Sequence, residues 1–466
     1  MLRTLPSILL LALLFACGGD ELPDVTTDTD LQFAWSRLMN GPSDEDEIDA
    51  VAADDAGNVY LSGKFEDSLR VAGRDGAIRS VGRADIMVVK YDAGGALRWV
   101  KCYGGPGEDN IFDATCDDQG NLILSGYFEG TVSFGSFTLT AVGGLDMVLL
   151  KLSPDGEVLR AVRFGGAGDD GGNEVAVGPG NQVVVGAQSD GTFEGITNTG
   201  GQDAHLLSLT SDFVVNWIRT VEGAGAARAK AVAVDAGGNV YLGGDYRGAN
   251  GIRDAGGAFL NLGGTDAYLA SWTAAGAWRW VKNWGGPGND LCKGVAATAQ
   301  GALFAVGQFT GTVDFDGTPL TSTPGSQDLF VWKLDDGGAP TWLRHVRAPE
   351  NLTGAEVTTD EQDRLYFGLG IGGPVEFQSG DNAFERVVSC GGRNCPVLVR
   401  YDADGNFSTS LRAERSNDAR FGELAYSGRT VYVDCVLLGG PHVIGGDTLT
   451  SQGGTKDAAV VAIEVE

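Results

Sequence analysis

A short apolar segment that opens with Asp recurs along the chain, and this repeat constrains the fold more than any other feature. Successive copies start 61, 57, 63, 62, 67 and 62 residues apart. Six of the seven copies begin with Asp and one begins with Cys. The seven copies start at Asp85, Asp146, Asp203, Asp266, Asp328, Cys395 and Asp457. Self-similarity on this scale predicts a repeat architecture in which each unit packs against its neighbours.

Each repeat contains four segments with the alternation and β-branched residues of strands. In the second repeat these segments start at Arg98, Ile111, Asn121 and Asp146. Gly, Asp and Asn separate the segments, and the 73 Gly of the chain suit many tight turns. With no helical periodicity, the pattern predicts an all-β protein, a seven-bladed β-propeller of four-stranded antiparallel blades.

The two ends of the repeat region predict how the propeller closes. The region begins with a strand that carries Trp35 and ends with an Asp-type strand, so the last blade lacks an outer strand. We therefore expect residues 31–39 to close the last blade by pairing with 457–464, which removes an open sheet edge. Trp recurs in the same segment, and large rings at one repeated position predict packing between neighbouring sheets. These residues are Trp35, Trp99, Trp217, Trp280 and Trp342.

Two sets of acidic residues lie in loops that strand order places on one face, the loop face. The Asp that opens the repeated segment is expected to accept hydrogen bonds from loop amides. These structural aspartates are Asp85, Asp146, Asp203, Asp266, Asp328 and Asp457. The second set could bind Ca²⁺ through its carboxylates, or could cap backbone N–H groups of glycine-rich turns. It comprises Glu108, Asp109, Asp169, Asp170 and Asp290. Because the motif recurs in several blades, capping is the favoured interpretation, and calcium is the one cofactor considered.

The N-terminus reads as an export signal. Residues 1–16 contain one early charge, Arg3, and an apolar run over 8–15 that is too short to span a bilayer. Leu14-Phe15-Ala16-Cys17 resembles the bacterial lipobox, in which Cys17 is lipidated, although an ordinary secretory signal is the alternative. Residues 17–30 then form the lipidated cysteine and an acidic tether, and 31–466 the propeller. Gly18 in place of Asp predicts an outer-membrane destination rather than retention at the inner membrane.

The net charge limits which partners are suitable, and the cysteine content indicates which disulfides are possible. A net charge of −29 argues against nucleic acid and against anionic lipid. We expect a monomer that reaches the membrane only through its lipid. Export permits disulfides, and Cys390 and Cys395 are close enough for a local bridge, whereas free buried thiols are the alternative.

Several motifs together resemble the SBBP family of β-propeller repeats. GGxD leads the apolar strand, a Trp and GGxGxD follow, and FEGTVSF at Phe128 and FTGTVDF at Phe309 fit the long loop. The similarity covers about residues 31–466, with repeats six and seven departing from the pattern. The resemblance implies an exported or lipid-anchored bacterial propeller and no single activity.

Three functions are compatible with these features. The first is a non-catalytic binding or scaffold module whose loop face meets a protein, peptide or glycan. The second is a passive structural propeller, which predicts no pocket. The third is a carbohydrate-active lyase or hydrolase, which needs paired carboxylates with one raised pKa. Three His at unrelated positions indicate neither a His-ligated metal nor a Ser-His-Asp triad, so no catalytic residue is predicted.

Overall fold

A computed structural model describes residues 30–466, apart from 44–45, 249, 253–256, 260, 351, 388–393, 414–417 and 451–455. The described residues form seven blades around a central channel, each a four-stranded antiparallel sheet. The one helical element among them is a short 3-10 turn at Pro179–Asn181. The predicted fold class is confirmed.

In blades 1 to 6 the strands run outward from the channel in chain order, and in blade 7 the first strand of the chain takes the outer position. For blades 1 to 7 the inner strands are Glu47–Ala53, Asn110–Cys116, Asp170–Gly178, Ala227–Val234, Leu291–Ala297, Thr353–Thr359 and Ala419–Ser427. The second strands are Val59–Phe65, Leu122–Phe134, Gln182–Ser189, Val240–Tyr246, Leu303–Phe309, Leu365–Ile371 and Thr430–Leu438. The third strands are Asp85–Tyr91, Phe137–Leu152, Asp203–Leu209, Asp266–Trp272, Asp328–Leu334, Cys395–Tyr401 and Lys456–Val465. The outer strands are Leu97–Tyr103, Val158–Phe164, Val215–Gly223, Trp278–Trp284, Pro340–Arg347, Phe407–Arg412 and, for blade 7, Leu31–Asn40.

The long loop between the second and third strands carries a small hairpin. In blade 2 the hairpin is continuous with the two strands themselves, which pair from Phe134 and Phe137 onward. Hairpins of blades 1, 4 and 6 also pair with the outer strand of the preceding blade, so they link neighbouring sheets. The separate hairpin strands are Ser68–Val71, Ile78–Arg79, Thr192–Phe193, Ile196–Thr197, Asn250–Ile252, Gly257–Phe259, Thr312–Phe315, Thr318–Thr321, Val375–Gln378, Phe384–Val387, Pro441–Ile444 and Asp447–Thr450.

The first strand closes the ring. Leu31–Asn40 pairs antiparallel with Lys456–Val465, from Leu31 opposite Val465 to Met39 opposite Ala458. Blade 7 therefore consists of three strands from the end of the propeller and one from its beginning. The predicted closure by 31–39 and 457–464 is confirmed, and it leaves the blade without the open edge that the missing strand would expose.

The hydrophobic core is divided among the junctions between blades. Seven buried clusters occur, one for each pair of neighbouring blades, including the junction of blades 7 and 1. The repeated Trp lie at these junctions, where each indole N–H donates to a carbonyl in a turn of the next blade at 2.9–3.1 Å. The donors and acceptors are Trp35 and Ala93, Trp99 and Pro154, Trp217 and Ala274, Trp280 and Asp336, and Trp342 and Ala403. The repeated Trp therefore serves packing between sheets.

Candidate functional site: the central channel

The structural aspartates hold the long loops of the loop face. Asp85 accepts hydrogen bonds from the N–H of Val81 at 2.8 Å and of Gly82 at 3.1 Å. Asp146 accepts from Val142 and Gly143 in the same way, and Arg163 also donates to it. One or more loop amides likewise donate to Asp203, Asp266 and Asp328. Asp457 is buried at the equivalent position of blade 7.

The second acidic set caps the loops that lead into the inner strands. Asp109 is fully buried and accepts from Gly105 N at 2.8 Å and Glu129 N at 3.1 Å. Asp290 repeats this arrangement with Gly286 N and Thr310 N. Asp170 accepts from Gly166 N at 2.7 Å. Asp109 and Asp290 therefore tie the loop before the inner strand to the second strand of the same blade, whereas Asp170 caps its own loop.

The remaining acidic loop residues also have local partners. Glu108 accepts from the Tyr127 hydroxyl at 2.9 Å, and Asp169 accepts from Leu145 N at 3.0 Å. The residues considered for calcium thus lie at three separate blade junctions and are not brought together. Within the described part of the chain, no group of three or more His, Cys, Asp or Glu could hold a metal ion.

Two predicted positions fall outside the described residues. Cys17 and the rest of the N-terminal signal lie there, and so does Cys390. Cys395 is buried and disulfide-bonded. Because Cys390 lies outside the described residues, the local bridge between the two stays a prediction. Cys102, Cys116, Cys292 and Cys435 are free thiols.

A β-bulge interrupts the inner strand of every blade at the same height in the channel. In blade 1, for example, Ile48 pairs with Gly63 and Ala50 pairs with Ser62, which leaves Asp49 unpaired. Bulges re-aim side chains and are common beside binding sites. The residues at the bulge are Asp49, Phe112, Asn173, Lys230, Lys293, Ala355 and Gly422. The residues that follow are Ala50, Asp113, Glu174, Ala231, Gly294, Glu356 and Glu423.

The bulge also explains a glycine that recurs in the second strand of most blades. At four blades a Cβ on this glycine would lie only 1.9–2.1 Å from a carbonyl oxygen of the inner strand. No side chain fits at that distance, so the close approach of the two strands requires glycine. These positions are Gly63, Gly126, Gly244 and Gly307.

Each blade places one charged side chain at the bulge or immediately after it. Where the second position is small, in blades 1, 4 and 5, the bulge residue is charged, and elsewhere the second position is a carboxylate. We call the seven residues the channel ring: Asp49, Asp113, Glu174, Lys230, Lys293, Glu356 and Glu423. The ring has an acidic and a basic side. The contiguous blades 6, 7, 1, 2 and 3 each contribute a carboxylate to it, whereas blades 4 and 5 each contribute a lysine.

The channel ring lies between two cavities. The upper chamber, which opens toward the loop face, has a volume of about 800 Å³ and is lined by the beginnings of the inner strands. The lower chamber has a volume of about 450 Å³ and is lined mainly by Val, Ala and Thr from the second halves of these strands. Glu174, Glu356 and Glu423 line both chambers, so these three carboxylates mark the boundary between them.

Three ring carboxylates have no hydrogen-bond or ion-pair partner among the described residues. Among the residues that the structure describes, the carboxylates of Glu174, Glu356 and Glu423 accept no hydrogen bond, and no Lys or Arg nitrogen lies within 4.0 Å of them. Lys293 donates only a long hydrogen bond of 3.4 Å to the carbonyl of Gly354. These side chains are half-buried, and charged groups that are partly removed from water normally have partners, so this arrangement is unusual.

Burial and mutual repulsion shift the pKa values of the ring residues. Burial raises the pKa of Glu356 to about 8 and that of Asp113 to about 7. The pKa values of Glu174 and Glu423 are also well above the usual range, first because of burial and then because neighbouring ring carboxylates repel. Burial lowers the pKa of Lys293. A site with several perturbed groups in a cavity is typical of binding or catalysis.

Other charged groups lie around the ring. Arg228, one layer nearer the mouth in blade 4, approaches Asp245 at 3.7 Å. Burial raises the pKa of Asp434 to about 7, and Arg420 of blade 7 partly offsets this effect. Arg420 lines the upper chamber as a cation within the acidic arc, but in the layer of Arg228 rather than of the ring. The ring itself therefore keeps its polarity.

Sequence reasoning did not find the channel ring. The predicted loop face is where the upper chamber opens, but the residues singled out there are structural. The signal that could have found the ring is the third to fifth residue of each inner strand, where the charge changes from copy to copy. A position that varies inside a repeat does not serve the fold, which all copies share.

The fold and the channel define the class of this protein as a seven-bladed β-propeller repeat protein. No protein-family model matches the chain. It is 24% identical over 347 residues to the regulatory protein FlaEY of Caulobacter vibrioides, a match that covers 68% of this chain and 35% of FlaEY. The chain thus spans about a third of the length of this relative.

Solved propeller structures resemble the chain at low identity. Virginiamycin B lyase from Staphylococcus aureus has a TM-score of 0.43 and 10% identity, covering 94% of this chain and 99% of the lyase. Sqt1 from Chaetomium thermophilum has a TM-score of 0.44 and 10% identity, with 94% and 100% covered. A gluconolactonase from Xanthomonas campestris has a TM-score of 0.31 and 13% identity, with 74% and 90% covered. At these values the similarities carry no argument about function.

Proposed function

We propose that this protein is a non-catalytic binding module whose ligand enters the upper chamber from the loop face. One observation carries the proposal: the chamber of about 800 Å³ contains ring carboxyls that no group of the described residues pairs. A cavity of this size with a few convergent polar groups is typical of small-ligand sites. A passive spacer would have no such chamber.

The energetics favour a ligand as the missing partner. A carboxyl group in a cavity without a partner is held in its protonated form, which is why the pKa of Glu356 is raised to about 8. Its ionised form becomes favourable when a ligand supplies hydrogen bonds and an opposite charge. From the residues that the structure describes, Glu356 and Glu423 receive neither a hydrogen bond nor a cation within 4.0 Å. A ligand that supplies them gains affinity from groups that are already in position, because little ordering is left to do on binding.

The binding proposal is tested by a screen with matched variants. Short peptides and oligosaccharides are added to the purified propeller, and the melting temperature and binding heat are measured. We expect hits whose affinity falls at least tenfold in Lys230→Gln and Glu356→Gln but not in Glu157→Gln, which is exposed on an outer turn. Hits that bind both ring variants normally would place the site elsewhere and contradict the proposal.

We also propose that the module is exported and tethered to the cell envelope, at the outer membrane, through lipid on Cys17. The lipobox pattern, the acidic tether over 17–30 and the resemblance to SBBP repeats support this proposal. Within the described residues, no helix has the length and apolarity to cross a membrane. A net charge of −29 makes nucleic acid an unsuitable partner, and we expect a monomer that presents its loop face to a protein, peptide or glycan.

Detergent phase partitioning tests the anchor. The wild-type protein should enter the detergent phase, whereas Cys17→Ser should stay in the aqueous phase with an unchanged melting temperature, because the tether adds nothing to the core. Equal partitioning of the two proteins would refute the lipid anchor.

One observation favours an enzyme as the second candidate. Asp113 and Glu356 have pKa values raised to about 7 and about 8 in the same channel, as a general acid requires. A carbohydrate-active lyase or hydrolase would use one protonated and one ionised carboxylate of the ring. Glycan cleavage that Glu356→Gln abolishes, without loss of glycan binding, would establish this alternative over the binding module.

A further inference from the structure

The channel ring is divided by sign, and the division follows the order of the blades. Its two cations, Lys230 and Lys293, come from the adjacent blades 4 and 5. Its five carboxylates come from the other blades, which are contiguous because blade 7 contacts blade 1. The channel therefore has a basic side and an acidic side at one height.

The two sides do not neutralise each other by direct contact. In the described part of the chain, neither ring lysine lies within 4.0 Å of a ring carboxylate. Their positive charges act on the glutamates only through space, where they partly offset the rise in the pKa of Glu356. Opposite charges of the protein that contact each other form an ion pair, and they are then less able to bind the charged groups of a ligand. Here the chamber keeps them apart, so both remain available.

We infer that the ligand of this chamber is a small zwitterion of the amino-acid or short-peptide class, with its carboxylate on Lys230 and Lys293 and its ammonium on Glu174, Glu356 and Glu423. The inference rests on the proposed function, since it names the chemistry of the ligand for the same site.

A ligand with one charge would fit the ring less well. A simple cation would pair with the glutamates and leave both lysines without a partner, and a simple anion would do the reverse. Arg228 and Arg420 give the mouth of the chamber further cationic groups, and Asp245 gives it a further anionic group. A zwitterion that spans the chamber places opposite charges on both sides at once, and each charge-assisted contact adds to the affinity.

Matched six-carbon probes test the inference on the intact propeller. The zwitterion ε-aminocaproate is compared with hexanoate, which lacks the ammonium, with hexylamine, which lacks the carboxylate, and with uncharged hexanol. Binding is measured by calorimetry at neutral pH and fixed salt. We expect ε-aminocaproate to bind at least tenfold more tightly than any of the other three.

Two variants assign the ends of the probe. Lys230→Gln should reduce ε-aminocaproate binding to the level of hexylamine and leave hexylamine binding unchanged. Glu423→Gln should reduce ε-aminocaproate binding to the level of hexanoate binding. Glu157→Gln is the matched exposed control, and a circular dichroism spectrum and melting curve establish that each variant is folded.

The outcomes separate this inference from the proposed function. If hexylamine or hexanoate binds as well as ε-aminocaproate, and a ring substitution abolishes that binding, the chamber is a ligand site but the zwitterion is wrong. If none of the four probes binds, the zwitterion is wrong, and the peptide and oligosaccharide screen alone then decides the proposed function.

Discussion

The loop face and the channel ring both consist of carboxylates in an acidic chain, yet they differ in how those carboxylates are satisfied. On the loop face, Asp109 accepts two backbone N–H groups and Asp85 accepts two more. In the ring, Glu356 and Glu423 accept none among the described residues. The first kind of carboxylate completes the hydrogen bonding of a turn, and the second kind is left open toward a chamber.

The difference teaches how to separate structural from functional residues in a repeat protein. Loop-face aspartates occur at the same position in blade after blade, since every blade needs the same turn. Ring residues occupy one height of the channel but change from carboxylate to lysine around it. Fold stability requires the repeated position, whereas the position that changes is free to determine ligand chemistry.

The largest expected effect comes from removing the scaffold that both regions share. Truncation that starts the chain after residue 42 deletes the strand Leu31–Asn40 and exposes the edge of Lys456–Val465. Buried Leu31 and Met39 are lost with it. We expect the truncated protein to lose its cooperative melting transition and to aggregate, as followed by circular dichroism and light scattering. A transition at the wild-type temperature would show that the first strand is dispensable.

A loop-face carboxylate is expected to matter for stability alone. Asp109→Ala leaves the N–H groups of Gly105 and Glu129 without an acceptor inside a buried loop. The free energy of unfolding in urea should fall by about 1–3 kcal/mol at neutral pH, with no effect on binding in the chamber. Asp155→Ala, at an exposed turn, is the control. Unchanged stability of the Asp109 variant would mean that its hydrogen bonds are not structural.

A ring carboxylate is expected to make the stability of the protein depend on pH. The pKa of Glu356 rises from its usual 4.5 to about 8 on folding, so the folded chain binds this proton more tightly than the unfolded chain does. Its contribution to stability is therefore full below the unfolded pKa and falls as pH rises toward the folded pKa. Glu356→Gln removes this dependence.

Urea unfolding at two pH values measures that effect. Relative to the wild type, Glu356→Gln should gain about 1–3 kcal/mol in unfolding free energy between pH 5 and pH 8.5. Glu157→Gln should show no such change, since its carboxylate is exposed. A Glu356 variant that parallels the wild type at both pH values would show that the ring carboxyl is not buried as a protonated group.

The smallest expected effect concerns calcium on the loop face. Because Asp109 and Asp290 already accept backbone N–H groups, we expect no rise in melting temperature with calcium when high monovalent salt screens the diffuse charge. A rise that persists in salt, and that Asp109→Asn combined with Asp290→Asn removes, would establish a calcium site and change the comparison of the two regions.

The sequence predicted the fold well because its signals are local and repeated. Strand alternation, turn glycines and the Trp of the outer strand each recur in several copies, so the blade count and the closing strand follow from spacing. The site was harder to predict because its residues are far apart in the chain. Asp113 and Glu423 belong to inner strands of blades 2 and 7, and only closure of the ring brings such strands around one channel.

By itself, the sequence determined seven four-stranded blades, the split blade that closes them and the loop face that Asp and Gly build. The tertiary structure decided which charges share a cavity. A β-bulge in each inner strand turns residues such as Asp49, Lys230 and Glu356 toward the axis. The order of the blades then places the carboxylates on one side of the channel and the lysines on the other. The physical reason is that turn chemistry acts between neighbours in the chain, whereas electrostatic pairing across a channel depends on distances that exist only after the propeller closes.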